Sequence, residues 1–163
     1  MSDEASGSKD ESHAERVDRE LIELLNELRV ALPGVQVLFA FLLAVPFATG
    51  FKDTNDFQRD LFFAILLATA VSSALLIAPS AYHRINFRQR DKERLLLTSN
   101  GLAIAGLFFL ALSIVGAVAL IADFLYGPAV PVLAAGAGAV VFGTLWFALP
   151  IARRNPSDRA EPS

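Results

Sequence analysis

Few side chains in this 163-residue sequence stand where they could do chemistry. Asp123 is the carboxylate nearest to an apolar run, followed only by Phe124, Leu125 and Tyr126 before a Gly-Pro turn. Ser72 and Ser73 are hydroxyls deep inside another such run. An aspartate and two hydroxyls are oxygen ligands of the kind that pass a cation or a small polar solute between copies of a membrane protein. Nothing stronger accompanies them. His13 and His83 lie far apart, no cysteine exists, and no Ser or carboxylate sits at a spacing that would make a nucleophile–base pair or a metal site. Asp53, Asp56 and Asp60 lack the spacing and glycine of a calcium loop; Asp56 is a candidate helix cap and Asp60 suits a first helical turn. The residues therefore point to no catalytic centre, no cofactor and no metal.

A second group is cationic. Arg84, Arg88, Arg90, Lys92 and Arg94 crowd one segment between two apolar runs, diluted by Asp91 and Glu93. Such a juxtamembrane cluster serves as a topogenic anchor that fixes the loop on the cytoplasmic side, or as a site for anionic lipid headgroups. It is too short and too isolated to track a nucleic acid, and the calculated pI near 5.3 agrees.

The elements that must carry these groups follow from hydropathy. The chain is 54% hydrophobic and 19% charged, and its apolar residues form runs long enough to cross a bilayer. Four spans are expected, at about 33–51, 58–82, 99–125 and 129–151. Thr98-Ser99-Asn100 supply capping residues for the third, and Pro46 and Pro79 interrupt the first and second. No Asp, Glu, Lys, Arg or His falls within 35–48, 62–79, 101–122 or 131–150, so a transporter with a buried carboxylate is disfavoured. Ala64, Ala68 and Ser72 in the second span, and Ala135, Ala139 and Gly143 in the fourth, recur every four residues as helix-packing stripes.

Before the spans, residues 1–13 read as a disordered acidic tail and 14–32 as an amphipathic helix, with Pro33-Gly34 as its break. That helix carries five acidic residues against two Arg over 15–28, so it is expected to dock on protein, its own or another copy's, rather than on lipid. Residues 33–152 form the membrane domain and 153–163 a second disordered tail. Counting cations puts twelve on the side of the termini and central loop and only Lys52 and Arg59 on the other. The positive-inside rule then places both termini in the cytoplasm.

Ala78-Pro79, Tyr82-His83-Arg84, Phe87-Arg88 and Lys92, with Glu20-Leu21 and Leu32-Pro33-Gly34-Val35-Gln36 before them, resemble a family of small four-span bacterial integral membrane proteins of unknown function. The resemblance covers about residues 15–125 and implies a bacterial inner-membrane location, but no activity. The expected fold is all-α, a four-helix transmembrane bundle with an N-terminal cytoplasmic amphipathic helix. The expected role is that of a small non-enzymatic membrane protein, an oligomeric or accessory subunit partnered by the bilayer and by copies of itself or another membrane protein. The alternative is a small transporter or channel-like oligomer using Asp123, Ser72 and Ser73.

Overall fold

Leu21, Leu28, Val35 and Leu42 recur every seven residues and are all buried, which requires one helical register from end to end. The computed structural model, which describes residues 13–85, 92–127 and 129–152, places them on a single helix, α1 (His13–Ala44). The expected break at Pro33-Gly34 is therefore absent. Pro33 has no N–H for the Arg29 carbonyl and would ordinarily kink or end a helix. Here Leu28 and Val35, either side of it, belong to one core cluster with Leu76 and Ala103, so packing on both flanks holds the register. The helix ends at Ala44 instead, where Pro46 falls in a 3₁₀ turn (Val45–Phe47) that leads to a second (Thr49–Asp53).

α2 (Asp56–Ile85) and α3 (Lys92–Tyr126) form the most extensive pairing, and α1 packs against both. The buried residues of α2 are Gln58, Phe62, Ile65, Thr69, Ser72, Leu76 and Pro79. Their alternating steps of four and three are those of a helix seated lengthwise on a neighbour. α3 starts well before Thr98-Ser99-Asn100, which lie inside it rather than capping it. Ser99 is fully buried, its hydroxyl without a partner among the described residues. α3 ends at Gly127, whose φ of 79° suits glycine and whose N–H donates to the Asp123 carbonyl oxygen at 3.0 Å.

The fourth span comprises α4 (Ala129–Phe142), a π-helical turn (Gly143–Ala148) and the short α5 (Leu149–Ala152). Among the described residues α4 packs on α3 alone outside its own span. A Cβ on Gly138 would lie 2.9 Å from Val115, so that glycine lets the two helices approach closely.

The molecule is apolar outside and partly polar inside. Phe41, Phe63, Ile121, Leu133 and Val140 are exposed, while Thr69, Ser72, Ser99 and Ser113 are fully buried. Water would reverse that distribution; hydrocarbon favours it. Among the described residues four helices are long and apolar enough to cross a membrane, and the chain is a multi-pass, all-α membrane protein. The basic loop's centre (86–91), residues 1–12 and the C-terminal tail lie outside the described residues.

Candidate functional site

α2 begins with a reciprocal cap. The Gln58 N–H donates to Asn55 Oδ1 at 2.8 Å, and the Asn55 N–H donates to Gln58 Oε1 at 3.1 Å. Asn55, not Asp56, is thus the cap; Asp56 lies exposed in the first turn, 3.6 Å from Arg59. With its carbonyl oxygen engaged by the cap, the Gln58 amide nitrogen faces α3 and donates to Asp123 Oδ2 at 2.8 Å. The carboxylate in the last turn of α3, where the helix dipole alone disfavours an anion, is compensated by an amide from the next helix. Both groups open on a groove of about 630 Å³ whose other walls include Phe57, Leu61, Pro131, Val132 and Ala135. Among the described residues Asp123 is the single ionisable one in that lining. This is a polar clasp in an apolar groove, able to join α2 to α3 and to accept one donor, but with no second titratable group among the described lining residues to exchange a proton with.

Ser72 and Ser73 do not join it. Ser72 lies fourteen residues beyond Gln58 on α2, about 21 Å at 1.5 Å per residue. Its Oγ donates to the Gly106 carbonyl oxygen of α3 at 2.8 Å, and Ser73 is half-buried beside it. Thr69 and Ser113 donate to Ile65 and Phe109 carbonyls of their own helices, each at 2.8 Å. The hydroxyls of Thr69, Ser72 and Ser113 are thus satisfied by backbone, as hydrocarbon demands.

Of the cationic cluster, Arg84 and Arg94 are exposed near the facing ends of α2 and α3, and Lys92 is the first residue of α3. Arg88 and Arg90 lie outside the described residues.

The packing stripes are only partly used. Ser72 is buried, Ala68, Ala135 and Gly143 are half-buried, and Ala64 and Ala139 are exposed. Between α2 and α3 the close approaches instead fall where large side chains of α2 sit on glycines of α3. A Cβ on Gly106 would lie 2.7 Å from Leu76, and one on Gly116 would lie 2.8 Å from Ile65. A stripe within one helix shows where approach is possible; only the facing helix decides which small residue is met. Gln58 and Asn55 likewise escape a search for charged groups. The signal for them is Asn-x-x-Gln immediately before an apolar run.

No curated protein and no solved structure matches this chain. The model of one family, a family of unknown function (DUF6328), matches residues 10–150. That stretch takes in the amphipathic half of α1, the first three spans and all but the last two residues of the fourth, and the chain therefore belongs to DUF6328.

Proposed function

We propose that this protein is a non-enzymatic subunit that works by association, as a homo-oligomer or as an accessory to another membrane protein. In the same reading it sits in a bacterial cytoplasmic membrane with both termini in the cytoplasm. The observation that supports this is where the polar groups of the spans are used. Thr69, Ser72 and Ser113 each give their hydroxyl to a backbone carbonyl, and the Asp123 clasp is remote from all three. A solute crossing a single copy would need a succession of free polar groups, whereas among the described residues Ser99 alone has a buried side-chain polar atom without a partner. The surface, by contrast, is open to partners. No residue of α4 is buried, although it packs along α3.

The test uses single cysteines in a chain that has none of its own. Leu133→Cys and Val140→Cys lie on the exposed side of α4, while Ala134→Cys lies on its half-buried side. Oxidation in native membranes should trap the first two in an adduct of defined mass and leave the third unlinked. Mass spectrometry of the gently solubilised complex then reads the composition. If the protein is monomeric in native membranes and the monomer alone carries solute across reconstituted vesicles, the proposal fails.

A further inference from the structure

Three glutamates and one arginine of α1 line different grooves. Glu20, Glu23 and Glu27 line a groove shared with Leu96, Leu97 and Asn100 of α3. On another side, Arg29, Leu32, Pro33 and Gln36 line a larger groove, of about 790 Å³, with Ser80 and Arg84 of α2. The net acidic character of the helix, an argument against lipid contact from composition alone, therefore does not describe this second face.

Arg29 and Arg84 differ from most other arginines of the described chain. Arg16 and Arg19 approach Glu20 and Glu23 at 4.0 and 3.4 Å, and Arg59 approaches Asp56. Among the described residues neither Arg29 nor Arg84 is in an ion pair and no carboxylate lines their groove. Two guanidiniums on facing helices supply planar, multiply donating groups suited to a phosphate. Below them on the membrane side stand an amide and a hydroxyl, Gln36 and Ser80, and between them the apolar Leu32 and Pro33.

The level of the groove selects among phosphates. The long apolar stretch of α1 resumes at Val37, just past Gln36, and that of α2 finishes near Ala81, just before Arg84. The two arginines thus sit at the boundary where lipid phosphates lie, on a wall that is apolar between its polar groups. We propose that the α1–α2 groove is a specific site for an anionic phospholipid, its phosphate held between Arg29 and Arg84 and its glycerol oxygens facing Gln36 and Ser80. This rests on the membrane-spanning fold and is independent of the association proposed above, since a monomer would bind the lipid equally.

The full chain, in nanodiscs of equal phosphatidylglycerol and phosphatidylcholine, is released into the mass spectrometer and the retained lipid counted. The wild type should keep phosphatidylglycerol preferentially. Arg29→Gln and Arg84→Gln should each lower that preference roughly fivefold and the double variant should abolish it. Arg29→Lys and Arg84→Lys should keep part of it, and Arg94→Gln, outside the groove lining, should keep all of it. Unchanged circular dichroism of each variant establishes that its fold survives. Three results each overturn the proposal. One is equal loss in Arg94→Gln, which means diffuse charge. Another is displacement of the lipid by millimolar inorganic phosphate, which means a soluble phosphate ligand. The third is an unchanged preference in the double variant.

Discussion

At the residue scale, contact between α2 and α3 depends on what α3 lacks. Gly106 faces Leu76, which is fully buried and has nowhere to retreat. An alanine there would put its Cβ 2.7 Å from both Leu76 Cγ and Cδ2 and 3.3 Å from the Leu76 backbone nitrogen. Overpacking of this kind costs about 1–3 kcal/mol. The neighbouring Ser72–Gly106 hydrogen bond is the weaker term, because interhelical hydrogen bonds in membranes average about 0.6 kcal/mol. Gly101, five residues earlier on the same helix, has open space where a Cβ would stand, with nothing within 4 Å. Alanine there gains helix propensity worth up to about 1 kcal/mol. Thermal melts in one detergent should therefore move in opposite directions, down for Gly106→Ala and up for Gly101→Ala. Shifts of the same sign would mean that α2 does not seat on Gly106. None of this is readable from α3 by itself. Both residues are glycines in an apolar helix, and only the position of Leu76 separates them.

At the element scale, α1 is where sequence and structure part. Pro-Gly is a strong local breaker, and a composition change from charged to apolar falls at the same place, so a boundary at Pro33 is the local reading. The seven-residue recurrence from Leu21 to Leu42 contradicts it and is equally present in the sequence. Tertiary packing decides between them, because Leu28 and Val35 are clamped in the same cluster. The same logic explains why Thr98-Ser99-Asn100 fail to start α3. Leu95 is already buried, which carries the helix a turn and more ahead of them. A continuous α1 makes a metric prediction. Spin labels at the exposed Ile22 and Phe41, nineteen residues apart, should report backbone positions about 28 Å apart with a narrow distribution. A break at Pro33 would shorten and broaden that distance. Pro33→Ala should leave it unchanged, since the register is held by the flanking contacts.

At the scale of the whole molecule, the four spans are legible because length and apolarity are local properties that lipid imposes on each span separately. The Gln58–Asp123 clasp is illegible because it joins residues 65 positions apart through an amide orientation set by a third residue, Asn55. Orientation belongs to this scale as well, since it depends on all loops together. In the fold, Lys52 and Tyr126 lie toward one end of the bundle and Arg84 and Arg94 toward the other, with α2 alone spanning about 45 Å between its termini. In the sequence, twelve cations fall in the terminal and central-loop segments and two between the first and second spans, an imbalance for which the positive-inside rule predicts a cytoplasmic position of the richer segments. Cysteines at Lys52 and Tyr126 should then react with a membrane-impermeant maleimide on intact cells, whereas cysteines at Arg84 and Arg94 should react only after permeabilisation. All four positions are exposed, so failure to label reports sidedness rather than burial. The reverse pattern would invert the topology and put the Arg29–Arg84 groove on the outer leaflet. Labelling of all four in intact cells would mean two coexisting orientations, in which case the basic loop does not act as an anchor.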